Sequence, residues 1–292
     1  MEVMTMRNIH KEVSDRILAA MEQGVMPWTK PWSTIGSGGM PRNAVSSRAY
    51  SGANVVLLWL TAEERGYTTS KWLTFKQAQE AGGTVRKGEK GTQVIYASTF
   101  DKKDEQTGEM QRIPFLKSFT VFNVAQCDGI DHLQDKPAPV NLDQRNEDCD
   151  AFLASTGAVI KHGEARAYYT TAGDFIMLPN YDSFQSADGY YGTALHELVH
   201  WSGAESRCNR QFGKRFGDRA YAAEELVAEL GAAFMCAEFG YDATTRHAAY
   251  VDNWISLLRD DPRAFVTAAS KASAAVEYLR SLALAEPEKL AA

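Results

Sequence analysis

Two histidines four residues apart, with a glutamate directly after the first, form the most chemically loaded stretch of this chain: His196-Glu197-Leu198-Val199-His200, a complete HExxH. On a helix, positions i and i+4 share a face. Both imidazoles can then grip one zinc ion, and Glu197 stands beside the remaining coordination position, where it can take a proton from a water. Ser186 or Asp188 can cap the start of such a helix and Gly203 can end it.

A catalytic zinc normally has three protein ligands, so one more must come from elsewhere. Residues 221–235 are Ala-rich and place Leu226, Leu230 and Ala233 at helical spacing, with Glu225 and Glu229 on a shared face. Glu229 is the preferred ligand, because Gly231, Ala232 and Ala233 follow it and small residues let helix backbones approach. Glu225 would then orient a ligand histidine; the reverse assignment is the alternative. Tyr221, Tyr191 and His247 are candidate donors to a reacting oxygen, and the sequence does not choose among them. Residues 165–170 and 174–178 read as a hairpin. It is either an edge on which an extended peptide could lie or a strand fully paired within its sheet.

These residues need a scaffold, and the composition allows one. The 292 residues are 45% hydrophobic and 23% charged, which suits a globular protein of two domains. Cys127, Cys149, Cys208 and Cys236 form no CxxC and read as reduced thiols. The charged start does not resemble a secretion signal, and no apolar run reaches the roughly 18 residues of a membrane span. The expectation is a cytoplasmic protein with no membrane partner. Charge divides unevenly. Residues 1–130 carry 16 Lys+Arg against 13 Asp+Glu, a balance of +3, and residues 131–292 carry 15 against 24, a balance of −9. Such asymmetry is expected when one half meets a polyanion.

Residues 128–140 are polar, contain two prolines and lack periodicity. The predicted division is a domain over 1–128, a linker over 129–145 and a second domain over 146–292, in the α+β class. Helices are expected over 9–23, 54–65 and 74–82, the last with a Thr74/Gln77 capping box. Strands over 91–100 and 115–124 would flank a charged hairpin at 101–112. Two further helices are expected over 243–259 and from Asp261, with Pro262 at its first position.

Aromatic and basic residues alternate through the N-terminal loops: Trp28, Lys30, Trp32, Arg42, Arg48, Tyr50, Lys71, Trp72, Phe75 and Lys76, then Arg86, Lys87 and Lys90 in a basic turn before Tyr96. Single-stranded nucleic acid is held without sequence preference by base stacking on rings, while cations track the phosphates. These side chains are the candidate single-stranded DNA contacts. On this reading the segment 1–130 should bind single strands in isolation, more weakly as salt rises.

The combination of Trp28-Thr29-Lys30-Pro31-Trp32, Tyr50-Ser51-Gly52-Ala53-Asn54, Trp72-Leu73-Thr74-Phe75-Lys76-Gln77-Ala78, residues 82–91 and Phe122-Asn123-Val124 resembles the ArdC antirestriction proteins of conjugative plasmids. Downstream, Ala167-Tyr168-Tyr169, residues 174–179, 196–201 and 224–234 resemble that family's zincin-like metallopeptidase domain. Cys208 departs from the family's Ser-Arg-Leu-Asn-Arg run, here Ser206-Arg207-Cys208-Asn209-Arg210. The resemblance implies an N-terminal domain that binds single-stranded DNA, a gluzincin-type zinc peptidase site, and protection of incoming plasmid DNA from host restriction. The alternative is a peptidase whose cleavage of a host or co-transferred protein is the primary activity, with DNA contacts for targeting.

Overall fold

The computed structural model describes residues 6–29, 39–103, 110–134, 147–210, 218–241 and 250–284. Helix α1 (Met6–Glu22) turns Ile9, Val13, Ile17 and Met21 inward at four-residue steps and stops at Gly24, whose φ of 79° favours glycine. Strand β1 (Arg42–Asn43) leads to helix α2 (Ala53–Arg65), apolar on most sides. Strand β2 (Lys71–Thr74) runs directly into α3 (Phe75–Glu80), where the expected capping box is formed by Thr74 and Gln77.

After the short β3 (Thr84–Val85), strands β4 (Thr92–Lys103) and β5 (Met110–Asn123) pair antiparallel from Thr92↔Val121 to Lys103↔Met110. The ladder therefore continues through 101–103 and 110–112, which the sequence pattern assigned to the connecting hairpin. The sheet order is β1-β2-β5-β4, with β1 parallel to β2 and the other pairs antiparallel. Neither β1 nor β2 was legible beforehand, because two to four residues carry no period.

The polar stretch after 126 is not all linker. Strand β6 (Cys127–Asp128) pairs with β3, and Ile130 is buried against Gly83, where a Cβ would come within 2.6 Å of it. One apolar side chain among polar ones was enough to anchor the segment. A 3₁₀ turn over Asp131–Leu133 completes this docking.

The second part begins with α4 (Glu147–Ser155), followed by β7 (Val159–His162), β8 (Tyr168–Thr170) and β9 (Phe175–Leu178) in the sheet order β7-β9-β8. Among the described residues β8 pairs only with β9, so the hairpin's first strand lies at a sheet edge. Then come α5 (Ala187–Ser202), α6 (Arg219–Phe239), α7 (Val251–Asp260) and α8 (Ala264–Leu284). Helix α6 is buried from Glu224 to Ala237, which explains its weak amphipathic pattern: a helix apolar all round is an interior one.

One core joins the two parts. Val13, Ile17 and Met21 of α1 and Val56 of α2 share a buried cluster with Leu195, Leu230, Trp254 and Phe265. Trp28 is its keystone, edge-on to Trp254 with centroids 5.7 Å apart and stacked on Phe265 at 6.1 Å. A segment cut at 130 would expose this face, so the N-terminal half is not a self-sufficient folding unit.

Candidate metal centre and nucleic-acid face

Ser186 caps α5, its hydroxyl accepting the Gly189 N–H at 3.2 Å, and Gly203 ends the helix. Between these ends His196 and His200 turn their Nε2 atoms toward each other, 3.1 Å apart. The third group is Glu225 of α6, whose Oε2 lies 3.5 Å from His196 Nε2 and whose Oε1 lies 3.4 Å from His200 Nε2. These three residues bring one ligand atom each within 4.8 Å of the others.

The geometry thus favours the alternative assignment, Glu225, over the preference for Glu229 as third ligand. Glu229 meets the opposite edge of its histidine, with Oε2 3.5 Å from His196 Nδ1. The small residues act as expected, but with a different result. Gly231 seats against Val199, where a Cβ would fall 2.7 Å from its methyl carbon. This closeness leaves the Glu229 carboxylate beside the near edge of the ring, while Glu225, one turn earlier, reaches across to both Nε2 atoms.

Glu224, which the sequence reading left unassigned, plays the corresponding part for His200, with Oε1 3.3 Å from Nδ1. Buried Arg210 donates to both Glu224 oxygens at 2.8 to 3.2 Å, to Ser202 Oγ at 2.9 Å and to the Val199 carbonyl at 2.5 Å. Its neighbour Arg207 lies over the Trp201 ring at 4.0 Å and grips Asp174 in the β8–β9 turn. The Ser-Arg-Cys-Asn-Arg run thus supplies one arginine to the ligand helices and one to the strand beside them. A basic residue just past a HExxH helix was the available signal.

Burial alone would lower the histidine pKa values. Hydrogen bonds donated to Glu225 and Glu229, with the charge of Glu197, instead push His196 up to about 10, and those to Glu224 and Glu225 push His200 up to about 9. Burial raises the Glu225 carboxyl, but the two imidazoles pull it far below the usual carboxylate range. Two Nε2 atoms and a carboxylate converging on one point, with carboxylates behind each ring, suit a zinc-like ion.

Among the candidate donors, Tyr221 stands in reach of Glu225. Its hydroxyl is 3.1 Å from that of Tyr250, and burial, then Tyr250 and the charge of Glu225, raise its pKa. Tyr250, missed in the sequence, also feels the charges of Glu225 and Glu197. Tyr191 is engaged elsewhere, donating to Asp150 at 3.0 Å, and His247 lies outside the described residues.

The nucleic-acid candidates separate. Trp28 and Trp72 are core: Trp72 packs with Leu58, Val94 and Val121 beneath the sheet, so neither tryptophan offers a stacking surface. Burial in a well-formed core is the ordinary use of a tryptophan. Lys30 and Trp32 lie outside the described residues. Arg86 is tied down by Glu89, Asp128 and the Ala125 carbonyl, whereas Lys87 and Lys90 are exposed. Lys71 is half-buried in β2, Lys76 pairs with Glu80 at 3.4 Å, and exposed Phe75 meets Phe122 edge-on. Arg42 donates to the Ser47 carbonyl.

Arg48, Tyr50 and Tyr96 are brought together around one cleft of about 490 Å³. Tyr96 is joined there by Phe119, at 5.9 Å across the hairpin, and beside it stands Phe115 with Lys117 over its ring. Phe115, Lys117 and Phe119 alternate along β5, a period visible in the sequence but read only as a strand.

A HExxH helix crossed by a second helix that lends a carboxylate, beside a small sheet with an open edge, defines a zincin-like domain, here joined to an α+β domain. Residues 147–271 match a zincin-like metallopeptidase, and residues 7–122 match the N-terminal domain of anti-restriction factor ArdC. The chain belongs to the ArdC family of antirestriction proteins. It is similar to the crystal structure of antirestriction ArdC protein from the R388 plasmid in its metal-free form, with a TM-score of 0.83 and 44% identity, covering 95% of this chain and 98% of that one. The Mn(II)-bound structure of the same protein gives 0.79 and 40%, covering 95% and 99%. An uncharacterized protein of Sinorhizobium fredii, y4eC, is 38% identical over 95% of this chain and 93% of its own. Two Escherichia coli proteins named DNA primase TraC are 37% and 35% identical over 92% of this chain, which spans 27% and 20% of their lengths.

Proposed function

We propose that this chain is an antirestriction factor of the cytoplasm that occupies single-stranded DNA entering the cell and carries a divalent-metal hydrolytic centre. The observation that supports the binding reading is the exposed Tyr96–Phe119 pair on the hairpin, with Arg48 and Lys117 nearby. Rings in the open cost buried apolar area, and a stacking partner returns it. Among the described residues no helix is long and apolar enough to cross a membrane.

In the hydrolytic centre His196, His200 and Glu225 would hold one divalent ion, zinc or another first-row metal. Such an ion, when bound, polarises a carbonyl and acidifies water. Glu197 is the proton acceptor and Tyr221 the donor toward a reacting oxygen. Glu229 and Glu224 fix the ring orientations through the Nδ1 edges. Strand β8 would receive an extended peptide along its edge.

The second reading makes proteolysis of a host or co-transferred protein the primary activity; the Tyr221–Tyr250 pair beside Glu225 favours it. A restriction-protection assay during conjugation distinguishes the two. Glu197→Gln keeps volume but not basicity, and should leave protection intact. Tyr96→Ala with Phe119→Ala should abolish it. Loss with the first variant and retention with the second would make the peptidase the functional core.

A further inference from the structure

The cleft holding Arg48, Tyr50 and Tyr96 is not a property of the N-terminal domain alone. One wall is the β4–β5 hairpin, with Tyr96, Leu116 and Phe119; the opposite wall is α8 of the zincin part, with Val266, Ser270 and Ser273. The walls are fixed to each other. Gly52 N–H donates to Ser273 Oγ at 2.8 Å, and Asn54 brackets the open edge of β4, donating to the Ile95 carbonyl at 2.8 Å and accepting its N–H at 2.7 Å. Tyr96 follows directly, so its ring is aimed by a bonded backbone.

Four features select the occupant. The cleft lining contains Arg48 and no carboxylate, in a chain of net charge −6 whose α8-bearing half is strongly acidic. The rings of Tyr96 and Phe119 stand perpendicular, at 75°, and both are exposed at the mouth. Cations continue beyond it: Arg48 also lines a smaller adjoining cavity with Arg280 and Glu277 of α8. Arg280 pairs with Glu238, and its pKa is lowered by burial and by the charge of Arg42. Arg48 and Arg280, one from each half, therefore line the same adjoining cavity, where a phosphate could be met. The volume of about 490 Å³ falls in the range of sites that enclose small organic groups.

We propose that this interdomain cleft takes unpaired bases of single-stranded DNA, with Tyr96 and Phe119 stacking on them, α8 forming the far wall and Arg48 and Arg280 following the backbone. The proposal rests on the single-strand binding reading above and adds that the zincin part is a structural wall of the nucleic-acid site. Duplex is excluded because its bases are already stacked.

The full chain is titrated with a fluorescent oligo-dT and with an oligonucleotide carrying 2-aminopurine, at fixed salt of about 0.1 M. Ser270→Glu places a carboxylate on the exposed α8 wall without breaking the helix, far from the metal ligands. It should weaken oligo-dT binding at least tenfold, as should Tyr96→Ala with Phe119→Ala, which should also remove the 2-aminopurine quench. Thr267→Glu, exposed on the same helix but outside the cleft lining, should bind as wild type. Matching thermal melts establish that each variant is folded.

If wild type binds and Ser270→Glu binds within twofold of it, the cleft is not the site and single-strand binding lies elsewhere on the chain. The same conclusion follows if Ser270→Glu weakens duplex binding as strongly as oligo-dT. Failure of wild type to bind oligo-dT would instead remove the underlying reading.

Discussion

In the metal centre charged side chains are buried, and on the hairpin face aromatic ones are exposed. His196, His200, Glu197, Glu224, Glu225 and Glu229 keep 5–9% of their surface, whereas Tyr96 and Phe119 keep 51% and 47%. Each arrangement opposes the ordinary distribution of residues. Buried ions are tolerated only with matched partners, and His196, His200, Glu224, Glu225 and Glu229 each have a fixed neighbour. Exposed rings need no partner within the chain, and nothing local fixes what they meet. A site of the first kind is legible from residue types, and one of the second kind needs the fold.

The sharpest way to break this comparison is to remove ligands. His196→Ala or His200→Ala should yield protein without bound metal by elemental analysis. Glu225→Ala should weaken metal binding more than the about 10–100-fold expected of Glu229→Gln, which only frees a ring edge. The opposite order would restore Glu229 as ligand.

Next in size is the pair of buried anchors. Trp28→Ala should cost about 3–5 kcal/mol in denaturant unfolding, since the ring fills the junction of both parts. A loss under about 1 kcal/mol would return Trp28 to the surface. Arg210→Met should cost a similar amount, about 3–5 kcal/mol, because Glu224 is left as a buried charge without its guanidinium. The companion change Arg210→Met with Glu224→Gln should recover part of that stability; no recovery would mean that Arg210 acts mainly through Ser202 and Val199.

The smallest expected effect is at the half-exposed Asp174–Arg207 pair. Its hydrogen bonds from Arg207 hold the Asp174 carboxyl below its ordinary value of 3.8. The carboxylate therefore stabilises the fold fully above pH 3.8, and the contribution is lost as pH falls through the lower folded value. Asp174→Asn should lower the urea midpoint at pH 7 by an amount worth under about 1 kcal/mol, and the difference should shrink as pH falls below the carboxyl's ordinary value of 3.8. A difference that persists in acid would show that packing, not charge, holds the turn.

The α5 helix, its Ser186 cap and both histidines were readable because the chemistry requires a fixed i, i+4 spacing. The choice between Glu225 and Glu229 was not, since both share a face and only the depth of the Gly231–Val199 contact decides which one reaches the Nε2 atoms. Trp28 and Trp72 misled for a related reason. A tryptophan in a Gly/Pro-rich loop reads as exposed, yet one lies between the two parts and the other under the sheet. Of the two useful rings, Tyr96 was among the candidate contacts, whereas Phe119 read as an ordinary strand residue until the hairpin register set it beside Tyr96. Ile130 carried the same lesson on a smaller scale, anchoring a stretch that otherwise looked unstructured.

The core that Trp28 shares with Trp254 and Phe265 also bears on how such a protein can be inherited. A gene fragment encoding either half would produce a chain with a raw apolar face, prone to aggregate and be degraded before it could be useful. Recombination should therefore move the two halves as a single cassette. The much longer TraC primases fit that expectation, since each aligns with 92% of this chain and not with one half of it. Adding such a cassette to another protein brings the HExxH helix pair and the interdomain cleft in one insertion, joined by a buried tryptophan.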